Sequence, residues 1–222
     1  INSAREILVI DNGSSDKTIE KAIYALKARR IRNGRVVRNR RNIGLGGSHK
    51  VAFLRAEKLG VEWLAILHGD NQARSDELDL LQRELILHSD LDAVLGSRFM
   101  PESQCFGYSK LRTAGNKALN QAYTLLTQRP TWDLGSGLNL FRVKCIPIAE
   151  ILTYSDGFTF NMELLLGLYS RKARIQFTPI SWRETDQVSN AKAFQVGWKC
   201  LRTLFRWKLG RMPVDATGGA TA

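Results

Sequence analysis

Two short polar stretches carry the residue types that hold a charged ligand. Asp11-Asn12-Gly13-Ser14-Ser15-Asp16 follows the aliphatic run Ile7-Leu8-Val9-Ile10, and His68-Gly69-Asp70-Asn71-Gln72 follows Trp63-Leu64-Ala65-Ile66-Leu67. Carboxylates, amides and hydroxyls supply oxygen ligands for a hard cation such as Mg2+ or Mn2+, and the same groups hydrogen-bond a nucleotide. Asp70 and Gln72 stand two apart, so on an extended chain both would face one cation, and His68 shares that parity. The plainer alternatives are a helix start capped by Ser15 or Asp16 and a solvated polar turn around Asp70.

Both stretches need strands to deliver them. The two apolar runs fit strands covered on both faces, as in a parallel sheet, and Ile19, Ala22, Ile23 and Leu26 at helical spacing fit a helix packed back onto it. In open α/β sheets ligands bind outside the carboxyl ends of the strands, where Asp11 and Asp70 fall. Gly44, Gly46 and Gly47 precede a helix that includes Val51 to Leu59. The segment matches neither the dinucleotide fingerprint nor the P-loop, because His49 stands where each needs its last glycine. Its glycines are expected to let the chain turn tightly into that helix, close to the nucleotide.

Further along, Ser75 is placed to cap a helix with Leu78, Leu81 and Leu85 on its buried face. A strand over 93–95 leads into Gly96-Ser97-Arg98, and Leu111, Ala114, Ala118, Leu119, Ala122 and Leu125 mark a long helix. A strand is expected over 138–141, a helix over 160–169, and a strand over 175–182 whose Pro179 suggests an edge or a bulge.

Composition bounds the partners. A chain of 222 residues with 44% hydrophobic content can bury one α/β core, and no apolar run approaches the ~20 residues that cross a bilayer. A net charge of +12 calls for an anionic partner: nucleic acid, nucleotide phosphates or anionic lipid. Ribonucleoprotein motifs, zinc-finger spacing and homeodomain-like patterns are absent, which argues against nucleic acid. Cys105, Cys145 and Cys200 are scattered and odd in number, which suits a reducing, cytoplasmic setting. In 194–212, Trp198, Leu201, Phe205 and Leu209 share a stripe beside Lys199, Arg202 and Arg206. That combination reads as a helix lying on the cytoplasmic face of a membrane, or as one packed on the domain through the same stripe. The expected division is a domain over 1–190, this basic amphipathic helix over 191–212 and a flexible tail over 213–222.

Six motifs in order resemble family 2 glycosyltransferases of the GT-A fold, and among them the dolichyl or polyprenyl phosphate sugar transferases. They are Asp11 to Thr18, Asn42-Ile43-Gly44-Leu45-Gly46-Gly47, His68 to Gln72, Gly96-Ser97-Arg98, Asp133-Leu134-Gly135-Ser136-Gly137, and Trp182-Arg183 followed by Val188-Ser189. The resemblance implies a single α/β domain, with a mostly parallel, Rossmann-like sheet flanked by helices. It also implies inverting transfer of a sugar from a nucleotide-diphosphate donor to polyprenyl phosphate, with Mg2+ or Mn2+ held by Asp70, Gln72 and, by parity, His68. Asp11, Asn12, Gly13, Ser14 and Asp16, with Gly44, Gly46 and Gly47, would contact the donor. Arg98 would offer a forked cation to phosphate, Ser136 would donate to the acceptor, with Gly135 and Gly137 permitting close approach, and Arg183 and Ser189 would lie on a segment closing over the site.

Two positions depart from the pattern, since Asn12 and His68 stand where the family usually has acids. The sequence also starts just before the family's second strand, so a central strand is expected to be missing unless another segment fills its place. No Glu-Asp base pair stands near Asp133, which favours a lipid phosphate, already an oxyanion at neutral pH, over a hydroxyl acceptor. Asp133 is the fallback base. Transfer to a polysaccharide or glycolipid hydroxyl and a non-catalytic nucleotide-sugar or membrane module are the alternatives.

Overall fold

The computed structural model describes residues 6–184 and 190–211. Its elements in chain order are β1 (Ile7–Asp11), α1 (Thr18–Ala28), β2 (Gly34–Arg38), α2 (Gly44–Leu59), β3 (Trp63–Leu67), α3 (Leu78–Leu87), β4 (Ala93–Ser97) and β5 (Gln104–Phe106). There follow α4 (Lys110–Thr127), β6 (Leu138–Arg142), α5 (Ile148–Thr153), α6 (Phe160–Ser170), β7 (Ile175–Pro179), β8 (Ser181–Arg183) and α7 (Asn190–Lys208).

The central sheet has the order β3-β6-β4-β7, with β6 antiparallel to both neighbours and β4 parallel to β7. Two parallel pairs, β1-β2 and β5-β8, flank it. Among the described residues no strand joins β1 to β3. The strand expected over 175–182 is divided: β7 runs to Pro179 beside β4, and β8 turns away to pair with β5. Proline has no N–H to continue a ladder, which makes position 179 a natural break.

Alternation along the strands sorts the core into two layers. Ala93 and Leu95 join Phe141 and Phe177 against Phe53, Tyr123 and α6, while Val94, Leu138 and Leu140 face Leu81, Ile180 and Trp182. Helix α6 is apolar nearly all round and accordingly buried, from Phe160 to Tyr169.

One helix expectation is corrected, and the long helix expected from Leu111 to Leu125 is present as α4. Ser75 opens a 3-10 turn over Ser75–Glu77 and makes no side-chain cap to α3, although Leu81 is buried as expected. On α4 the buried residues are Asn120 and Tyr123, while Leu111 and Leu125 stay exposed. Tyr123 Oη reaches across to donate to the Cys200 carbonyl at 2.8 Å, tying α4 to α7.

Helix α7 therefore packs on the domain, but through the face opposite the predicted stripe. Cys200 and Leu204 enter the core with Val196 and Trp207 beside them, whereas Trp198 (65%), Phe205 (55%) and Leu209 (64%) remain exposed. The tail over 213–222 lies outside the described residues.

Candidate active site

The end of β1 is built as a hydrogen-bonded corner. Asp11 is buried, accepts from Ser14 N at 3.2 Å and lies 3.6 Å from Arg38 Nε, whose guanidinium also donates to the Ser14 carbonyl at 2.7 Å. Asn12 accepts from Ile43 N and Asn39 Nδ2 through one end of its amide and donates to Asn42 Oδ1 and the Gly44 carbonyl through the other. A carboxylate has no hydrogen to donate, so the asparagine that stands where an acid is usual is what knits this corner together. Gly13, at φ +77°, leaves no room for a Cβ, which would sit 2.7 Å from the Arg41 carbonyl carbon. Asp16 accepts from Thr18 N and Oγ1, and that bonding lowers its pKa, so the helix-start alternative describes this residue.

The glycines opening α2 are occupied by protein, which corrects the expectation that they face a nucleotide. A Cβ on Gly44 would lie 2.2 Å from the Asp156 carbonyl oxygen, and one on Gly46 would lie 2.3 Å from that of Ser155. Gly47 is buried against Ile43, and its N–H donates to the Asp156 carbonyl. One turn on, buried Lys50 gives its three ammonium donors to the carbonyls of Leu152 and Tyr154 and to Asp156 Oδ1. The glycine pattern is thus the signature of a helix clamped onto the 155–157 loop.

The second stretch is a turn, not an extended strand end. Asp70 Oδ1 accepts from Gln72 N at 3.1 Å across Asn71, which has φ +59°. The parity argument for Asp70 and Gln72 fails, yet the turn itself brings the two residues side by side. His68 leaves them: its Nε2 lies 3.2 Å from His49 Nε2, and its ring fills the space where a Cβ on Gly137 would be. That removes His68 from the expected ligand set. Burial, together with His68, lowers the His49 pKa to about 3, and burial also lowers that of His68. Among the described residues no three His, Cys, Asp or Glu side chains converge to hold a metal. The donor set of one exposed carboxylate and one amide oxygen fits a cation that completes its shell with phosphate and water, as Mg2+ commonly does.

Arg98 and Asp133 close on each other. Arg98 Nε and Nη2 donate to the two carboxylate oxygens at 2.8 Å each, and Asp133 also accepts from the backbone N–H groups of Arg98 and Gly135. Both side chains are withdrawn from water, at 10% and 0% exposure. Burial opposes the charge on Arg98, but the attraction of Asp133 outweighs it and raises the pKa. The guanidinium lies over the rings of Trp182, Phe99 and Tyr108 at 4.9, 5.0 and 5.9 Å. The free fork expected of Arg98 is therefore spent on Asp133. Ser136 is likewise spent: it is buried and bonds both backbone groups of Leu138, where β6 begins. Gly135 lies beside Arg98, and Gly137 beside His68. Arg183 is exposed, over the Phe106 ring, and Ser189 lies outside the described residues.

Sequence reasoning passed over Glu184 and Arg112, and it did not pair His49 with His68. Glu184 directly follows the Trp182-Arg183 motif and bonds Gln72 Nε2 at 3.3 Å, which made it the one most open to detection.

The family description Glycosyl transferase family 2 matches residues 2–146. A curated relative, the dolichyl-phosphate beta-glucosyltransferase of Saccharomyces cerevisiae, is 23% identical over 194 residues, or 82% of this chain and 58% of its own length. This chain thus spans little more than half of that relative. Glucosyl-3-phosphoglycerate synthase from Mycobacterium tuberculosis with phosphoglyceric acid superposes with a TM-score of 0.67 and 16% identity, over 97% of this chain and 71% of that one. The same enzyme with Mn2+, uridine-diphosphate-glucose and glycerol 3-phosphate gives a TM-score of 0.66 at 16% identity, over 97% and 72%. At these identities the likeness is one of fold.

Three outcomes are expected from this geometry. Arg98→Ala strands a buried carboxylate and should lower unfolding free energy in urea by about 3–5 kcal/mol. Arg174→Ala, which breaks the exposed pair with Asp90, should cost no more than about 1 kcal/mol. For His49, the unfolded imidazole takes up a proton near pH 6.5 while the folded one resists it down to about 3, so stability is full above pH 6.5 and is lost as pH falls through that window. Each pH unit contributes up to about 1.4 kcal/mol, and thermal midpoints from pH 7 to 4 should fall less steeply in His49→Gln.

Proposed function

This chain belongs to glycosyl transferase family 2, and on that footing we propose that it transfers a sugar from a nucleotide-diphosphate donor to the phosphate of a polyprenyl lipid at a membrane surface. The observation that carries the acceptor class is the closure of Asp133. A carboxylate has about four lone-pair sites, and Asp133 accepts from Arg98 N, Nε and Nη2 and from Gly135 N. The fallback base therefore has no oxygen to offer to an acceptor hydroxyl. A phosphate acceptor needs none, because it arrives as an oxyanion. The name of the yeast relative, a dolichyl-phosphate glucosyltransferase, supports the same choice.

In this reading Asp11 accepts hydrogen bonds from the base or ribose, held in place by Ser14 N and Arg38. Asp70 and Gln72 would hold the divalent cation. When bound, Mg2+ or Mn2+ supplies charge neutralisation at the leaving diphosphate, and Mn2+ accompanies uridine-diphosphate-glucose in one solved complex of the Mycobacterium tuberculosis enzyme. The lipid phosphate oxygen forms the new bond to the anomeric carbon on the face opposite the donor diphosphate as the bond to that diphosphate breaks, and the electron pair leaves with the diphosphate, so the configuration inverts. The Arg98–Asp133 pair positions the 133–137 loop against this centre, while Arg183 is an exposed cation that can meet the lipid phosphate.

Helix α7 supports the membrane part. Its inner face is spent on the core through Cys200 and Leu204, so the outward aromatic stripe of Phe194, Trp198 and Phe205 has another use. The helix carries Lys199, Arg202, Arg206 and Lys208 and no acidic residue, a complement to anionic lipid headgroups. Among the described residues no helix is long and apolar enough to cross a membrane.

Uridine-diphosphate release from uridine-diphosphate-glucose should require polyprenyl phosphate and be abolished in Asp70→Asn, which should fold normally because its side chain is exposed at a turn. Equal turnover with the dephosphorylated polyprenol would overturn the acceptor. The protein should also sediment with phosphatidylserine vesicles at low salt and dissociate as salt rises, each Lys or Arg contributing about 1 kcal/mol. Trp198→Ser with Phe205→Ser should weaken that binding by roughly tenfold or more, since a fully buried large side chain contributes about 1.5–3 kcal/mol. Unchanged vesicle binding by the double variant would remove α7 from the membrane contact.

A further inference from the structure

Glu184 stands at the end of β8, where the backbone is stitched to two other elements. Arg183 N donates to the Gln72 carbonyl at 2.9 Å, Ala73 bridges Trp182, and Glu184 N donates to the Phe106 carbonyl at 2.9 Å. The carboxylate is thereby fixed beside the Asp70–Gln72 turn at 9% side-chain exposure. One oxygen accepts from Gln72 Nε2 at 3.3 Å and the other lies 3.4 Å from Arg112 Nη1, whose guanidinium lies 4.4 Å from the centre of the Tyr108 ring.

An amide side chain has one donor end and one acceptor end. With Nε2 of Gln72 committed to Glu184, the amide oxygen is turned away from that carboxylate. The flipped amide would set oxygen against a charged oxygen. Arg112 holds the second carboxylate oxygen, so Glu184 is restrained on both sides. We infer that Glu184 is a positioning residue that locks the Gln72 amide with its oxygen presented to the divalent cation, and that Arg112 keeps Glu184 in that role. This rests on the reading of Asp70 and Gln72 as the cation's protein ligands. Partners that orient a metal ligand in this way typically contribute tenfold to a hundredfold in metal affinity.

The test is Mn2+ affinity, measured by titration of the whole chain in the presence of uridine diphosphate, with the thermal midpoint recorded for every variant. Glu184→Ala should raise the Mn2+ dissociation constant by about tenfold or more. Glu184→Gln, which can still accept through its own amide oxygen, should recover most of the loss. In a Gln72→Ala background Glu184→Ala should add nothing, because the group it orients is gone. If Glu184→Ala fails to fold, Glu184→Met offers similar bulk without an acceptor and carries the same expectation. Parent-like Mn2+ affinity in the folded variant, or losses that multiply in the double variant, would overturn the inference. Asp70→Asn separates the two levels. If Asp70→Asn and Gln72→Ala both leave Mn2+ affinity unchanged, the metal reading falls and this inference with it. If they weaken binding while Glu184→Ala does not, only the role of Glu184 is lost.

Discussion

Two opposite charges withdrawn from water hold this site together. Arg98 directly follows β4 and Asp133 opens the loop into β6, and a buried ion of either sign left alone would cost several kcal/mol. Each is tolerated only because the other answers it with two parallel hydrogen bonds. Their closure fixes where Gly135 and Gly137 lie, and so where His68 and the Asp70 turn can go. It also gives Trp182, Phe99 and Tyr108 a flat cation to pack around. A cation bound this tightly shapes the site without being free to meet a ligand itself.

The same economy appears at α2. Sequence signatures tempt the reader to see a phosphate cradle in Gly44, Gly46 and Gly47 followed by Lys50. The carbonyls of Ser155 and Asp156 occupy that space, and Lys50 neutralises Asp156 from within the fold. The ammonium has three donors and meets three acceptors, which is how a buried lysine remains acceptable inside a core. What this loop contributes to the site is rigidity at the Asn12 corner, through Ile43 and Gly44.

Helix α7 packs on the domain, but not through the stripe predicted for it. Its periodicity contains two apolar faces, one used by the core through Cys200 and Leu204 and one left facing outward through Trp198 and Phe205. The outward face keeps basic residues beside it, so a helix anchored to the domain still presents a surface suited to anionic lipid.

The sequence by itself determined the strands that end in Asp11 and near Asp70, the helices that follow them and the family pattern as a whole. Those signals are local: an apolar run, a helical spacing, a carboxylate beside glycine. Short, charged Gly34–Arg38 has no such signal, since a two-stranded flank needs only part of its surface buried, and its strand appeared only in the fold. The tertiary structure alone decided which candidates are spent on protein partners. Arg98 meets Asp133 across 35 residues, Lys50 meets Asp156 across 106, and Gln72 meets Glu184 across 112. No periodicity encodes such pairings, because they arise where β6 slots between β3 and β4 and where the chain breaks at Pro179 to send β8 to β5. Residue type at a strand end shows that a charge is present, and only packing determines what neutralises it.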